Sequence, residues 1–261
     1  MFSTPSSQAR ISRVTLTNPV FISDLHLSDD DKAGYLSRFL TETASDFDEL
    51  IILGDFFDYW VGDDAASTVP AICAELRGYS EKRRLFFMQG NRDFILGENF
   101  CRSVGAVLLK DPCIAQCGAS YLLLSHGDMW CTNDKDYQAL RKKVRSRLWQ
   151  WFMLCLPLKK RLRIAQDARR KSKATKSQKD ASLMDVVDAS VLRSLRNYPE
   201  CSFCGVIHGH THRPGAKEIA PGITRCVIPD WRFKDGKLIQ SGYAVLENGK
   251  PVPRITGENA L

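Results

Sequence analysis

Three of the chain's five histidines stand at alternate positions within the motif HGHTH, as His208, His210 and His212. Alternate residues of an extended chain point the same way, so two of these imidazoles can bind one ion together. The motif DLH repeats this spacing near the start of the chain, with Asp24 and His26. Imidazole nitrogens mixed with carboxylates are typical ligands of Mn²⁺, Fe²⁺ or Zn²⁺. The spacing therefore indicates a transition-metal site.

Three further motifs add ligand-type side chains, and together the motifs contain all five histidines. A lone histidine beside a strand is usually a core residue, but this joint occurrence favours a metal site. The candidate ligands are Asp24, His26, Asp55 in GDFFD, Asn91 in GNRD, His126 in SHGD, His210 and His212. Seven ligands exceed the need of one ion, and a carboxylate can bridge two. Two ions about 3.5–4 Å apart stabilise the attacking and leaving oxygens of phosphoryl transfer. The sequence thus predicts a two-metal hydrolytic site.

Each motif follows a short apolar run, and these runs are the elements that must position the ligands. The runs are Val20–Ser23, Leu50–Leu53, Leu85–Met88, Tyr121–Leu124 and Gly205–Ile207. They are too short for helices and are bounded by Gly, Asp or Asn, which predicts buried strands. Helix-like stretches at Lys32–Thr43 and Val69–Arg77 alternate with the first runs. We therefore expect an α/β fold with layered sheets and one site at the carboxyl ends of its strands.

Length and composition are those of an ordinary soluble globular protein, with 261 residues, 44% of them hydrophobic and 26% charged. The first residues lack the apolar stretch of a secretory signal, and no run approaches the roughly 18 apolar residues of a membrane span. We therefore expect a cytoplasmic protein. Residues 1–19 are expected to be disordered, and residues 20–261 to form the catalytic domain.

Positive charge is concentrated in residues 133–185, which hold 16 Lys and Arg against 5 Asp and Glu. Asp136–Gln150 and Leu158–Lys173 have helical composition, and the apolar run WQWFMLCLPL lies between them. We interpret this segment as a basic helical cap inserted over the site. Its charge suits a phosphate-rich substrate and an anionic membrane surface. Its aromatic residues would either form an acyl pocket or dip into the membrane interface, or pack the cap against the body.

Five motifs in fixed order, DLH, GDFFD, GNRD, SHGD and HGHTH, resemble those of the calcineurin-like metallophosphoesterases, which are β-sandwiches flanked by helices. The resemblance implies that one ion is held by Asp24, His26, Asp55 and His212. It implies that the other is held by Asp55, Asn91, His126 and His210, with Asp55 bridging. His208 lies outside this ligand set, and we expect a structural or supporting role for it.

Arg92 narrows the kind of phosphate bond that the site could cleave. Many phosphomonoesterases of this superfamily have a histidine after the Asn, where it protonates a departing alkoxide. Arginine cannot donate that proton, because its pKa stays above about 12. A phosphate leaving group needs no proton and is stabilised by a fixed guanidinium. Arg92 therefore favours pyrophosphate cleavage; the alternative is an arginine that merely pairs with Asp93.

Longer motifs, GDFFDYWVGDD, HGDMWCTNDKDYQ, SLMDVVDASV and HGHTHRP, are similar to those of the UDP-2,3-diacylglucosamine hydrolase family of lipid A biosynthesis. That family releases UMP and an acylated sugar 1-phosphate, usually with Mn²⁺. The resemblance implies water attack at the α-phosphorus and catalytic roles for Asp55, Asn91, Arg92, His126 and His210. It implies substrate contacts by Asn91, Arg92, Asp134, Ser172, Lys176, Lys179 and His210, with Lys176 where the family has a short polar residue.

The same resemblance implies peripheral association with the cytoplasmic face of the inner membrane and no nucleic-acid partner. Two other functions stay open from the residues alone. One is a di-metal nuclease or nucleotide phosphodiesterase, in which the basic cap follows a phosphate backbone and Trp149 and Trp151 stack on bases. The other is a non-enzymatic basic module that binds nucleic acid or membrane without a metal.

Overall fold

Two β-sheets pack face to face in the computed structural model, which describes residues 11–176 and 185–257. The strands are β1 (Ser12–Leu16), β2 (Pro19–Ile22), β3 (Glu49–Leu53), β4 (Arg84–Met88), β5 (Ala106–Leu109), β6 (Cys113–Cys117), β7 (Ser120–Leu124), β8 (Phe203–His208), β9 (Gly215–Ala220), β10 (Ile223–Val227), β11 (Arg232–Lys234), β12 (Lys237–Glu247) and β13 (Lys250–Gly257). The helices are α1 (Ala33–Glu42), α2 (Pro70–Ser80), α3 (Glu98–Ser103), α4 (Lys135–Val144), α5 (Arg147–Leu154), α6 (Leu158–Lys176) and α7 (Asp188–Arg196). The predicted sandwich flanked by helices is confirmed.

Parallel pairing at the centre of each sheet decides where the site lies. One sheet has the order β1-β6-β7-β8-β10-β9, and the other has β11-β12-β2-β3-β4-β5 with β13 paired to β12. Strands β2, β3 and β4 run parallel, as do β7 and β8. Since parallel strands end at the same edge of a sheet, the loops that carry the motifs lie side by side. All five predicted strands are present.

Both faces of the strand β3 are buried, which explains its apolar run Leu50–Leu53. Ile51 and Leu53 pack between the two sheets. Leu50 and Ile52 point the other way, into the core that contains Leu36 of α1. Burying each of these side chains fully is worth about 1.5–3 kcal/mol. The strand that carries Asp55 at its end is thus held from both sides.

The expectation that residues 1–19 are disordered is wrong for residues 12–16, which form β1. This strand pairs in parallel with β6 at the edge of its sheet. Leu16 is 2% exposed and packs between the sheets, and Val14 packs against the same cluster. Val14 and Leu16 are the only side chains of β1 that face the core, and two alternate apolar residues are too few to predict a strand from the sequence. Residues 1–10 lie outside the described residues.

The helical composition noted for Asp136–Gln150 corresponds to two helices rather than one. Helix α4 ends at Val144 and α5 begins at Arg147. The hydroxyl of Ser146 accepts a hydrogen bond from the Trp149 amide at 3.3 Å and caps α5, which fixes the break. The first six residues of the apolar run, 149–154, therefore belong to α5, and its last residue, Leu158, begins α6.

The helix predicted over Leu158–Lys173 extends to Lys176 as α6. The cap boundaries 133–185 stay a prediction, since residues 177–184 are outside the described residues. Among the residues that the structure describes, no helix is both long and apolar enough to cross a membrane.

Candidate metal centre and active site

Backbone hydrogen bonds tie the loops after β2 and β3 together. The amide of Asp24 donates to the carbonyl of Gly54, and the amide of His26 donates to that of Asp55, both at 3.1 Å. The two loops therefore continue the pairing of their strands beyond the sheet. This fixes the DLH motif beside the first Asp of GDFFD.

The loop after β8 closes the site from the other sheet. The Gly209 amide donates to the carbonyl of His126 at 3.0 Å. The His210 amide donates to Asp24 Oδ2 at 2.7 Å. Nδ1 of His126 lies 2.9 Å from the carbonyl oxygen of Leu53, the last residue of β3. When Nδ1 donates this bond, Nε2 keeps its lone pair for a metal ion.

Five predicted ligands have left-handed backbone conformations. Their φ angles are 59° at Asp24, 54° at His26, 52° at Asp55, 68° at His210 and 54° at His212. In the described residues the other non-glycine positions with positive φ are Asp235 and Asn248, each before a glycine in a hairpin turn. Such conformations cost about 1–3 kcal/mol each and persist where surrounding structure imposes them, often at functional sites.

Asp24, His26 and His212 form the first candidate ligand group, with their ligand atoms within 4.8 Å of one another. His212 Nε2 lies 3.2 Å from Asp24 Oδ1 and 3.3 Å from His26 Nε2. On its other side, His212 Nδ1 lies 3.2 Å from Asp230 Oδ2, and Arg232 donates to the same carboxylate oxygen at 2.9 Å. The buried Asp230 therefore orients the His212 ring. The sequence interpretation missed this contact.

Asp55, Asn91, His126 and His210 converge next to the first group. Asn91 Oδ1 lies 2.9 Å from His126 Nε2 and 2.6 Å from His210 Nδ1. His126 Nε2 is 3.6 Å from Asp55 Oδ1. Asp24, Asp55 and His126 also form a compact ligand group. Asp24 is thus common to both groups, whereas the sequence interpretation gave the bridging position to Asp55; the ligand assignment itself stays a prediction.

Burial and neighbouring charge set the protonation of the histidines. Burial lowers the pKa of His210 to about 3 and holds that of His26 well below its usual range. Burial also opposes charging of His212, but its hydrogen bonds with Asp230 and Asp24 raise its pKa to about 9. Neutral imidazoles are the form that binds metals. Asp24 and Asp230 favour a positive charge at His212, and a divalent cation can supply that charge in place of a proton. The donor set therefore fits metal ions.

Asp93 organises the backbone of two motifs. Its carboxylate is buried and accepts hydrogen bonds from the amides of Asp55 at 3.2 Å, Phe56 at 2.8 Å and Gly90 at 2.6 Å. Burial, followed by the charge of Asp55, raises the pKa of Asp93 to about 6. Asp93 therefore joins the GDFFD loop to the GNRD loop.

Arg92 pairs with two carboxylates, neither of them Asp93. Its Nε lies 3.2 Å from Asp55 Oδ2, and its Nη1 lies 2.7 Å from Asp58 Oδ1. The alternative that Arg92 merely pairs with Asp93 is wrong, because the oxygens of Asp93 are taken by backbone amides. The guanidinium is instead fixed beside the candidate metal centre.

Comparison with known proteins identifies the family whose motifs converge in this site. The profile of the family described as calcineurin-like phosphoesterase matches residues 18–214. The chain belongs to the calcineurin-like phosphoesterase family. Within it, the chain belongs with the UDP-2,3-diacylglucosamine hydrolases. It is 39% identical over 227 residues to the protein of that name from Aeromonas salmonicida (84% of this chain, 88% of that protein). It is 43% identical over 216 residues to that from Neisseria meningitidis serogroup A (81% and 88%).

Among solved structures, a dimetal phosphatase from Danio rerio has the same fold, with a TM-score of 0.51, 13% identity and coverage of 93% of this chain and 96% of that one. The two ligand groups themselves are the candidate dinuclear metal site of this phosphoesterase. His208 lies outside both groups; its buried ring packs edge-on against Trp130, with centroids 5.7 Å apart.

A cavity of about 410 Å³ opens beside the candidate metal centre of this phosphoesterase, between the body and helices α4, α5 and α6. Its polar lining includes Asn91, Arg92, Tyr137, Arg141, Arg145 and Arg169, and its apolar lining includes Phe94, Trp149, Met153 and Ile164. A larger, shallow depression of about 790 Å³ around Thr17, Glu49 and Arg84 is lined by none of the predicted site residues. The smaller cavity combines cationic and apolar walls next to the predicted catalytic residues.

The predicted cap contacts have different positions. Ser172 lines the cavity. Asp134 precedes α4, and its Oδ1 caps that helix by accepting a hydrogen bond from the Tyr137 amide at 3.0 Å. Lys176 is the last residue of α6, where only the backbone is described, and Lys179 lies outside the described residues. Their roles in substrate binding stay predictions.

Helix α4 is fastened to the phosphoesterase body by residues that the sequence interpretation missed. Tyr137 donates to Asp128 Oδ2 at 2.6 Å, and Arg141 donates to the same oxygen at 2.8 Å. Arg145 donates to the Gly90 carbonyl at 2.9 Å. Tyr137 and Arg141 are four residues apart on one face of α4, and Arg145, the residue directly after the helix, continues this spacing. That spacing is the signal that could have found them.

Proposed function

We propose that this protein hydrolyses the pyrophosphate bond of UDP-2,3-diacylglucosamine, giving UMP and 2,3-diacylglucosamine 1-phosphate in lipid A biosynthesis. The curated relatives carry the name of this activity. The observation that carries the proposal is the position of Arg92, whose guanidinium lines the cavity and contacts Asp55 at 3.2 Å. A guanidinium stabilises a leaving phosphate but cannot protonate an alkoxide.

The catalytic residues we propose are Asp55, Asn91, Arg92, His126 and His210. When bound at the candidate ligands, two divalent ions, which we take to be Mn²⁺, would polarise the phosphoryl oxygens and lower the pKa of water. The low pKa of His210 leaves it neutral near pH 7, so it acts as a ligand and hydrogen-bonding group rather than as a general acid. Arg92 donates hydrogen bonds to the phosphate that carries the growing charge.

The cavity suits a substrate that is charged at one end and apolar at the other. Arg141 and Arg169 supply cations for phosphate, while Trp149 and Met153 supply apolar surface for acyl chains. Asp134, Ser172, Lys176 and Lys179 are proposed to contact the glucosamine phosphate. Trp149 packs against Phe94, with ring centroids 5.7 Å apart. This arrangement favours an amphipathic substrate over the nuclease alternative, in which Trp149 stacks on bases.

We also propose that the protein works at the anionic, cytoplasmic surface of the inner membrane. The side chains of Leu148, Trp151 and Phe152 are 75%, 64% and 58% exposed on one face of α5, while Met153 on the opposite face is 6% exposed. An exposed apolar helix face within a basic segment suits the lipid interface, where each Lys or Arg contributes about 1 kcal/mol.

Hydrolysis in H₂¹⁸O tests the proposed reaction. Water forms the new P–O bond at the α-phosphorus, and the bond from that phosphorus to the bridging oxygen breaks. Mass spectrometry should therefore find the heavy oxygen in UMP and none in the sugar 1-phosphate, with turnover that depends on added Mn²⁺. Heavy oxygen in the sugar 1-phosphate would contradict the proposed attack at the α-phosphorus. If the metal-loaded protein did not cleave UDP-2,3-diacylglucosamine, the proposed substrate would be wrong.

Two substitutions connect this reaction to the site. D55N and H126A should abolish turnover without unfolding the protein, whereas D235N, in an exposed hairpin turn, should turn over like the wild type. Wild-type rates in D55N or H126A would contradict the assigned centre.

A further inference from the structure

One carboxylate holds two cavity arginines from different parts of the chain. Oδ1 of Asp58 lies 2.7 Å from Arg92 Nη1 and 2.7 Å from Arg169 Nη2. Asp58 Oδ2 also accepts from Arg169 Nε at 3.3 Å. Arg92 follows β4 in the body, whereas Arg169 belongs to helix α6, and both side chains line the cavity. Asp58 thus fixes a guanidinium of the body against one of the cap.

This contact continues to the metal centre. Arg92 Nε lies 3.2 Å from Asp55 Oδ2, so charges of alternating sign run from Asp55 through Arg92 and Asp58 to Arg169. The side chains of Arg92 and Arg169 are 13% and 30% exposed, which leaves them partly shielded from water. A change at Asp58 therefore acts on both guanidiniums at the same time.

We propose that Asp58 is a positioning residue that presents Arg92 and Arg169 as a pair to the phosphate groups of the substrate. The two arginine nitrogens bonded to Asp58 Oδ1 cannot be further apart than twice their 2.7 Å bond length. Two cations this close repel each other unless an anion lies between them. Without Asp58 they would separate, and the donors would lose their alignment on the phosphates. The proposal rests on the proposed function for the identity of the phosphates.

A second aspartate provides a matched control. Asp64 also joins helix α6 to the segment after β3, through Arg161, whose Nη1 lies 2.9 Å from Asp64 Oδ1. The Arg161 side chain is only 4% exposed, and neither residue lines the cavity. Asp64 therefore anchors the same helix without touching the proposed phosphate site.

The experiment compares D58N with D64N. We expect D58N to raise KM for UDP-2,3-diacylglucosamine roughly tenfold and to lower kcat, because Arg92 and Arg169 are no longer held in alignment and their charged hydrogen bonds to the phosphates weaken. D64N should stay within about twofold of the wild type in KM. Thermal unfolding should not show this difference. D64N should lower Tm at least as much as D58N, because it leaves the buried Arg161 guanidinium without its carboxylate. A merely structural role for Asp58 predicts that loss of activity follows loss of Tm.

Two further measurements complete the test. In an R169A background, D58N should cost less than in the wild type, since part of its effect passes through Arg169. Calorimetric binding of inorganic pyrophosphate to the metal-loaded protein should weaken roughly tenfold in D58N and little in D64N. This arm needs no turnover, so it tests Asp58 even if the proposed reaction fails. Equal KM and equal pyrophosphate affinity in D58N and D64N would overturn the proposal, as would a wild type that binds no pyrophosphate.

Discussion

The Nε2 atoms of His26 and His212 lie 3.3 Å apart, although 186 positions of sequence separate the two residues. His26 follows β2 in one sheet and His212 follows β8 in the other. The candidate metal centre is therefore made at the junction of the two sheets. Substitutions that loosen this junction should impair metal binding even where they remove no ligand.

Asp230 is the first test, because it holds the His212 ring without belonging to either ligand group. D230N should lower Mn²⁺ affinity about 10- to 100-fold, as is usual for residues that orient a metal ligand. Isothermal titration calorimetry measures this directly. D235N, five positions away on an exposed turn, should bind Mn²⁺ like the wild type. Equal affinities in the two variants would show that Asp230 does not orient His212.

Gly54 tests the close approach of the GDFFD and GNRD loops. It has φ of +86°, and a Cβ there would lie 2.5 Å from Gly90 Cα. G54A should therefore lower the free energy of unfolding by clearly more than the 1–2 kcal/mol or so that a left-handed conformation costs an alanine. G118A is the control, because Gly118 also has positive φ, at +59°, but a Cβ added there would meet no atom within 4 Å. Urea denaturation gives both values; equal losses would mean that the loops can separate freely.

Arg92 tests the leaving group. R92H should lower kcat on UDP-2,3-diacylglucosamine about 10²-fold or more, because a fixed donor to the transition state is lost. Its rate on an alkyl phosphate such as glycerol phosphate should fall less or rise, since imidazole can protonate an alkoxide. R38H on the exposed face of α1 serves as the control and should change neither rate. If R92H lost both activities equally, Arg92 would not select the leaving group.

The outer face of α5 tests membrane docking. The double variant W151S/F152S should bind vesicles of phosphatidylglycerol and phosphatidylethanolamine roughly tenfold or more weakly, because two large apolar side chains no longer enter the lipid. Sedimentation of protein with the vesicles measures this. Val107 and Ile255 are similarly exposed, at 55% and 58%, but lie outside the cap. V107S/I255S should sediment like the wild type, and the proposal fails if both double variants do.

Much of the fold could be predicted from local patterns. The run before Asp55 is apolar throughout because β3 is buried on both faces, and a strand of this kind shows in sequence. The strand β1 was missed because only Val14 and Leu16 face the core. The break between α4 and α5 was missed because it depends on one capping hydroxyl, that of Ser146, within a segment of otherwise helical composition.

The sequence by itself determined which residue types stand at the ends of the strands, because ligand chemistry restricts them to imidazole, carboxylate and amide groups. It also placed Arg92, which cannot donate a proton, at the position where many phosphomonoesterases of the superfamily have a proton-donating histidine. Only the tertiary structure decided which groups the buried carboxylates contact: that Asp230 orients His212, that Asp93 joins two loops through their backbone amides, and that Asp58 bridges body and cap. Charged side chains give no sequence signal for their partners, since each pair forms across elements that folding alone brings together.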